Sequence, residues 1–270
     1  MYLIMPSLRI LFIGDIIGSP GRSAVKKALP EMNQQYNPNL IIANGENLAG
    51  GLGITPDTAK EVINFGVDLL TTGNHIWDKK EIIEYIDSDE RIIRPANYPK
   101  GAPGKGFTII KRTFFQQEIS IAVINLSGRV FMESLDNPFT VINELLPLLQ
   151  EKTKIIILDF HAEATSEKIA MGRYLDGKVS AVICTHTHVQ TADETIFPGG
   201  TAYITDVGMT GPIDSVIGTK KELVIKKFLT QMPVRFDVPS GDVLLCAVIV
   251  DIDPITGHAI NIERISKIIN

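Results

Sequence analysis

Short apolar runs alternate with amphipathic segments along the first third of the chain. Three of these runs predict buried strands, at residues 8–13, 40–43 and 67–72. Helical spacing of apolar residues predicts a helix over residues 22–36, with a break expected at Pro30. A second helix is predicted to begin after the capping residue Thr55. This alternation of strand and helix is typical of a parallel sheet that is covered by helices.

The remainder of the chain continues with both kinds of element and ends in an antiparallel pattern. Further strands are predicted at residues 91–94, 107–111, 119–126, 154–158 and 179–183. Helices are predicted at residues 79–86, 138–149, 165–175 and 220–229. The last part predicts a hairpin over residues 195–204, a loop over residues 205–211 and strands at residues 234–236, 243–252 and 259–265. We therefore expect an α/β protein with a pair of mixed sheets flanked by helices, forming a single domain over residues 1–270.

The composition is that of an ordinary globular protein and narrows the range of partners. The net charge of −5 provides no general field for polyanions, so extended nucleic-acid binding is not expected. Cys184 and Cys246 both lie in apolar runs, which favours a reducing compartment over a disulfide framework. The apolar N-terminus is interrupted by Pro6 and Arg9 and lacks a cleavage site, and no apolar run reaches the roughly eighteen residues of a membrane span. We expect a cytoplasmic enzyme.

The apolar run at residues 179–183 leads into the stretch Cys184-Thr185-His186-Thr187-His188. In a strand, alternate side chains share a face, which would place His186 and His188 about 7 Å apart on one side. Two imidazoles at that spacing suit ligands of neighbouring metal ions. By itself, the motif fits a pair of histidines without a ligand equally well.

Polar clusters follow four further strands, at the edge where open α/β sheets bind ligands. They are Asp15, Glu46 with Asn47, Asn74 with His75, and His161. Carboxylate, amide and imidazole ligands in this mixture suit iron, manganese or zinc. Each cluster also has a simpler explanation: Asp15 and Asn74 could cap helices, and His161 could be an ordinary core histidine. Glu46 could pair with a lysine. Their joint position at one edge favours a metal site, which would supply the positive charge that a small anionic substrate requires.

The order of these motifs resembles that of the calcineurin-like metallophosphoesterases. The matching stretches are Gly14-Asp15, Gly45-Glu46-Asn47, Gly73-Asn74-His75, His161 and Thr185-His186-Thr187-His188. The chain departs from the usual family pattern in two places, because the first motif lacks its histidine and Glu46 replaces the bridging aspartate. Both departures are typical of the YmdB-like bacterial branch, which residues 44–51 and 205–211 also resemble. The match covers nearly the whole chain.

This resemblance implies a four-layer α/β/β/α sandwich and a centre of two transition-metal ions, iron first, with manganese or zinc as alternatives. One implied ligand set is Asp15, Glu46, Asn47 and His188. The other is Glu46, Asn74, His161 and His186, so that Glu46 bridges the ions. A bridging hydroxide would then attack phosphorus in line with the leaving oxygen. His75 has no metal in this scheme, and we expect it to be the general acid; its alternative role is to orient a ligand carboxylate.

The sequence thus predicts a dimetal phosphodiesterase that acts on small phosphodiesters. The branch resemblance implies 2′,3′-cyclic nucleotides, opened at the 2′ bond, as the substrate class. One alternative is a phosphomonoesterase or protein phosphatase on the same metals, and another is a non-catalytic regulator that binds a nucleotide. No membrane partner is expected, and self-association into a homo-oligomer is left open.

Overall fold

The computed structural model of the protein describes residues 7–270. Its strands are β1 (Leu8–Ile13), β2 (Asp15–Ile16), β3 (Leu40–Asn44), β4 (Leu69–Thr71), β5 (Phe107–Phe114), β6 (Gln117–Ser127), β7 (Ile155–His161), β8 (Ala181–Thr185), β9 (Thr195–Ile196), β10 (Ala202–Ile204), β11 (Met209–Pro212), β12 (Val243–Ile252) and β13 (Ala259–Ile269). Its helices are α1 (Gly18–Tyr36), α2 (Pro56–Asn64), α3 (Glu81–Tyr85), α4 (Pro138–Gln150), α5 (Thr165–Tyr174) and α6 (Lys221–Thr230), with a short 3-10 helix at Ile86–Ser88.

Within residues 7–270 the strands form two mixed sheets. The first has the order β2-β11-β12-β1-β3-β4, and β13 also pairs with β12. In it, β1, β3 and β4 are parallel, whereas β12 is antiparallel to β1. The second has the order β5-β6-β7-β8-β10-β9, with β6, β7, β8 and β10 parallel. In each sheet, therefore, the carboxyl ends of the parallel strands share an edge.

The alternation of side chains along the strands divides the apolar core into layers. On β1, Leu11 and Ile13 belong to the cluster that packs under α1 and α2, whereas Ile10 and Phe12 pack towards the second sheet. The opposite face of the second sheet packs against α4 and α5, where Met171 is fully buried. The layer order is helices, sheet, sheet, helices. The predicted four-layer α/β/β/α architecture is therefore confirmed.

Helix α1 is longer and more regular than the sequence indicated. It begins at Gly18, four residues before the predicted start, and continues through Pro30 without a break. A proline in a helix removes one backbone hydrogen bond and leaves the carbonyl four residues earlier without its partner. Both Pro30 and Lys26, the residue that carries this carbonyl, are exposed, so water can take the missing position. The prediction of a break at Pro30 was wrong.

Three other predicted segments also differ. Residues 91–94 form isolated bridges, Ile92 with Leu70 and Ile93 with Lys105, rather than a strand. The Arg94 side chain donates to nearby backbone oxygens, and Pro95, which follows directly, has no N–H to extend a ladder. Residues 205–211 are not wholly a loop, since β11 pairs with β2 and β12. Residues 234–236 are not a strand. They belong to an irregular segment over residues 231–241, hereafter the 231–241 segment. Pro233 and Pro239 in this segment have no backbone N–H to donate to a neighbouring strand.

Among residues 7–270, no helix is long and apolar enough to cross a membrane. Residues 1–6, which begin the apolar N-terminal stretch and include Pro6, lie outside the described residues. The apolar layer shared by the two sheets supports a single domain, and we retain the assignment of residues 1–270 to one domain as a proposal. Cys184 and Cys246 are buried free thiols.

Candidate metal centre

The predicted polar clusters meet where the two sheets present the carboxyl ends of their strands. Asp15 lies at the start of β2, just beyond β1, and Glu46 lies two residues beyond β3. His161 is the last residue of β7, and His186 follows β8 directly. The side chains of Asp15, Glu46 and His161 are essentially fully buried. Both sheets therefore contribute ligand-type atoms to one place.

The first cluster, hereafter the His161 group, consists of Glu46, Asn74, His161 and His186. His161 Nε2 lies 3.2 Å from Glu46 Oε1, 3.0 Å from Asn74 Oδ1 and 3.0 Å from His186 Nδ1. One imidazole nitrogen carries at most one hydrogen, so it cannot donate to three acceptor atoms at once. A cation among these atoms would satisfy all of them. The donor set therefore fits a metal ion.

The second cluster, hereafter the His188 group, consists of Asp15, Glu46, Asn47 and His188. His188 Nε2 lies 3.7 Å from Asp15 Oδ1 and 3.4 Å from Asn47 Nδ2. Asp15 Oδ1 is a buried oxygen that has no hydrogen-bond partner among the described residues. Such an atom is costly unless a cation approaches it. Because Asn47 Nδ2 faces Glu46 Oε1 at 3.1 Å, ligation by Asn47 requires its amide to rotate and present Oδ1.

Glu46 is common to both groups. Its carboxylate can combine with His161 and His186 in one potential metal-binding set, and with Asp15 and His188 in another. Gly73 is packed directly against this carboxylate: a Cβ at that position would lie 2.3 Å from Glu46 Oε2 and 2.3 Å from His161 Nε2. Position 73 therefore has no room for any side chain, which explains a glycine before Asn74.

The histidines are oriented by partners that the sequence analysis did not identify. His161 Nδ1 lies 2.9 Å from Thr185 Oγ1, and that hydroxyl donates to Asp159 Oδ1 at 2.7 Å. Because the hydroxyl donates to Asp159, it accepts from His161 Nδ1–H. In the neutral form of the ring, the Nε2 lone pair is then directed at the other three members of the His161 group. Asp159 stands in the apolar run of β7 and is fully buried. A carboxylate within such a run was the signal available in the sequence.

The rings of His186 and His188 are each oriented by a contact on the side that faces away from the centre. His188 Nδ1 lies 2.9 Å from the backbone oxygen of Ile217, which leaves Nε2 to face Asp15. His186 is turned the opposite way, with Nε2 3.1 Å from Glu163 Oε2 and Nδ1 towards His161. In its neutral form each ring thus directs a nitrogen without a hydrogen into the centre, and this is the form that binds a metal.

Burial and the charges of neighbouring side chains set the pKa values of the ligand-type residues. Burial raises the pKa of Asp15 to about 6, although positive charge on His188 and His161 opposes this shift. Burial would also raise the pKa of Glu46, but the charge and hydrogen bond of His161 outweigh it and hold that pKa well below its usual range. Burial lowers the pKa of His161, but the carboxylates of Glu46 and Asp15 outweigh it and raise that pKa to about 9. Burial, followed by the charge on His161, lowers the pKa of His186 to about 3. Positive charge is therefore favoured at His161 Nε2, where a metal ion would replace the proton.

The His186–His188 stretch is not an extended strand, and that prediction was wrong. Strand β8 ends at Thr185, and the φ angles of His186 and His188 are 100° and 65°, in the left-handed region. Non-glycine residues adopt such angles only where the surroundings fix them. Here Asp206 Oδ2 accepts from Thr187 N at 3.0 Å and from Thr187 Oγ1 at 2.6 Å, and it also binds Lys168 Nζ at 2.7 Å. This buried ion pair fixes Thr187, so the backbone on either side of it must turn.

His75 lies beside the centre without belonging to either group. Its backbone N–H donates to Glu46 Oε2 at 3.2 Å, and its ring Nδ1 lies 2.8 Å from Asp78 Oδ2. The backbone of His75, rather than its ring, therefore orients the carboxylate. The ring lines a cavity of about 480 Å³ together with Glu46, Asn47, His186 and His188.

Comparison with known proteins agrees with this arrangement. The family model described as "YmdB-like protein" matches residues 11–265. The chain is 52% identical to the 2′,3′-cyclic-nucleotide 2′-phosphodiesterase of Bacillus subtilis (strain 168), over 96% of this chain and 96% of that protein. A hypothetical protein from Thermus thermophilus has a similar crystal structure, with a TM-score of 0.89 and 41% identity over 96% of this chain and 99% of that one. A crystal structure described as a novel phosphatase from Mycoplasma pneumoniae has a TM-score of 0.91 and 34% identity over 98% and 95% of the two chains.

These findings confirm the resemblance inferred from the motifs and the prediction of an enzyme of the phosphoesterase class. The matched residues include each of the strands that supply the candidate ligands. The chain belongs to the YmdB-like family.

Proposed function

We propose that the protein is a dimetal phosphodiesterase that hydrolyses 2′,3′-cyclic nucleotides at the 2′ bond and yields 3′-nucleotides. The observation that carries this proposal is the position of Glu46, whose carboxylate is shared by two potential ligand sets at the base of one cavity. The name of the Bacillus subtilis relative supports the substrate class. Iron as the metal, a cytoplasmic location and a homo-oligomer stay predictions from the sequence.

In the proposed centre, the His188 group would hold one ion and the His161 group would hold the other. Glu46 contributes to both, and its burial keeps water from competing for the carboxylate. When bound, the ions polarise phosphate oxygens and lower the pKa of water, so that a nucleophile is available at neutral pH. The protein orients the ligands through Thr185, Ile217 and Glu163, the partners of the three imidazoles.

His75 is assigned as the general acid. Asp78 accepts from His75 Nδ1–H, and this contact fixes the orientation of the ring. A general acid acts in its protonated form, in which Nε2–H of His75 is the proton available within the cavity. When the bond between phosphorus and the 2′ oxygen breaks, the leaving alkoxide takes this proton, and the phosphate remains on the 3′ oxygen. Proton donation of this kind contributes about 10²–10⁴-fold to a rate.

The test is hydrolysis of 2′,3′-cyclic AMP by metal-loaded protein, with the product identified by chromatography. We expect Glu46→Gln to lower kcat/KM about 10³-fold, because it weakens charge stabilisation worth several kcal/mol. His75→Ala should lose about 10²–10⁴-fold on this substrate. It should lose much less on bis(p-nitrophenyl) phosphate, whose leaving group needs no proton. Unchanged rates in both variants would overturn the mechanism.

A second candidate, a phosphomonoesterase on the same metals, is favoured by the description of the Mycoplasma pneumoniae structure as a phosphatase. The same assay separates the two functions. A phosphodiesterase accumulates 3′-AMP, whereas a phosphomonoesterase releases inorganic phosphate from it. A regulator that only binds nucleotides would bind 2′,3′-cyclic AMP without forming either product.

The metal content provides an independent test. Elemental analysis of the purified protein, before any metal is added, should find about two transition-metal ions per chain, as a shared carboxylate requires. The same measurement identifies the metal and so tests the prediction of iron. Fewer than about one ion per chain would contradict the dimetal centre.

A further inference from the structure

The cavity beside the candidate metal centre is lined by two kinds of residue. Some of them are the ligand-type residues described above. Others are apolar, namely Ile17, Leu52, Ile217, Phe236 and Val238, hereafter the apolar lining. Leu52, Ile217 and Phe236 keep 42%, 52% and 38% of their surface exposed, which is unusual for large apolar residues around one cavity. The volume of about 480 Å³ falls within the usual range of small-ligand sites.

The apolar lining is a fixed surface, although part of it comes from the irregular 231–241 segment. The backbone N–H of Lys220 donates to the backbone oxygen of Asp237 at 2.9 Å, and the Lys220 ammonium pairs with the Asp237 carboxylate. Val238 packs against Gly51: a Cβ at Gly51 would lie 2.6 Å from Val238 Cγ2. Gly51 also has a φ angle of 91°, which glycine adopts without strain. These contacts hold Phe236 at the side of the cavity.

The ring of Phe236 has one face occupied. The Lys227 ammonium lies over it, 4.8 Å from the ring centroid. The ring also borders the cavity, so part of its surface remains available to a ligand there. An aromatic ring next to aliphatic side chains is a surface on which a flat, apolar group packs well.

We propose that Phe236, with Leu52, Ile217 and Val238, forms a subsite that binds the base of the nucleotide substrate. This inference rests on the proposed function, because a cyclic phosphate at the metal centre would extend its nucleoside into this cavity. Bases stack on aromatic rings through faces that all of them possess, so the subsite distinguishes poorly between adenine and guanine. It should favour purines over pyrimidines, since a purine covers more apolar surface.

The test compares two substrates in Phe236→Ala. One is 2′,3′-cyclic AMP, and the other is methyl β-D-riboside 2′,3′-cyclic phosphate, which has the same reacting group without a base. We expect Phe236→Ala to lower kcat/KM about tenfold for 2′,3′-cyclic AMP, mainly through KM, and to leave the base-free substrate unchanged. Phe236→Tyr, which keeps the ring, should behave as the wild type. Phe228→Ala serves as the matched control, because Phe228 is a 74% exposed aromatic residue on α6 that does not line the cavity.

A binding measurement separates the subsite from the reaction. Saturation-transfer NMR with adenosine, which has no phosphate, should show contact of the base protons with the wild type and with Phe236→Tyr, and a loss of contact in Phe236→Ala. If the wild type hydrolyses neither cyclic phosphate, the proposed function fails, and the adenosine signal alone decides the subsite. If Phe236→Ala affects both substrates equally or neither of them, or if adenosine binds equally to Phe236→Ala, the subsite is overturned and the proposed function stands.

Discussion

The candidate metal centre is supported from two sides, by buried polar groups beneath it and by exposed ones at its rim. Beneath it, Thr185 links His161 to Asp159, and Lys168 pairs with Asp206. At the rim, Asp78 and Glu163, which contact His75 and His186, keep 42% and 47% of their side-chain surface exposed.

Both sets perform the same task, which is to orient an imidazole or the backbone that carries it. They differ in what replaces a lost partner. At the rim, water can occupy the position of a missing carboxylate. In the interior it cannot, so a group left without its partner bears the full cost of its burial. Removal of one polar partner should therefore have a much larger effect in the interior than at the rim.

The largest effect is expected from Asp206→Asn. This change keeps the shape of the side chain but leaves the Lys168 ammonium, which is buried, without a counter-charge. We expect a loss of about 3–5 kcal/mol in the free energy of unfolding, measured by urea denaturation. Activity should fall as well, because Asp206 fixes Thr187 between two candidate ligands.

Asp214→Asn is the matched control for this change. It removes the partner of Lys221 in an ion pair whose side chains are 45% and 79% exposed, and it should leave the free energy of unfolding almost unchanged. Equal losses in the two variants would show that burial does not distinguish the two sides of the centre.

Thr185→Val should have the next largest effect. It removes the hydroxyl between His161 and Asp159 without changing the shape of the side chain. We expect the affinity for metal, measured by calorimetric titration of metal-free protein, to fall about 10–100-fold. Thr210→Val is the control, because Thr210 is also buried but its Oγ1 has no hydrogen-bond partner among the described residues. An unchanged affinity in Thr185→Val would contradict the role assigned to this chain of hydrogen bonds.

The difference between the two sides also explains which residues of the site could be predicted from the sequence. Each ligand-type residue was expected at the carboxyl end of a strand that an apolar run predicted, so Asp15, Glu46, Asn74 and His161 could be placed at one edge. The buried residues that orient them could not be placed in this way. Lys168 and Asp206 are separated by 38 positions, and no pattern in the sequence around either residue predicts their contact.

The turn at His186 and His188 shows the same limit. Local sequence predicted an extended stretch, because an apolar run leads into it. The left-handed φ angles result from a pair of hydrogen bonds to Asp206, a contact that local propensity does not include. The continuous helix through Pro30 has a related cause, since the cost of proline depends on whether the unpaired carbonyl faces water. In each case, tertiary context overrode a valid local rule.

At the rim, Asp78→Asn should reduce kcat for 2′,3′-cyclic AMP about fivefold, which corresponds to about 1 kcal/mol for an exposed pair. The reason is that Asp78 orients the ring of His75 towards the leaving group in the proposed mechanism. The rate with bis(p-nitrophenyl) phosphate should not change, and the free energy of unfolding should match that of Asp214→Asn. A loss that is equal for both substrates would show that Asp78 acts on something other than the leaving group.

The smallest effect is expected from Glu163→Ala, which removes the partner of a candidate ligand just as Thr185→Val does. Glu163 Oε2 lies 3.1 Å from His186 Nε2, but nearly half of the Glu163 side chain is exposed. Because water can accept the same hydrogen bond, metal affinity should fall only about twofold to threefold. Calorimetric titration of this variant beside Thr185→Val compares the two supports directly, since each variant leaves one imidazole nitrogen without its protein partner. A loss in Glu163→Ala as large as that in Thr185→Val would mean that the position of the partner, rather than its burial, determines how firmly a ligand is held.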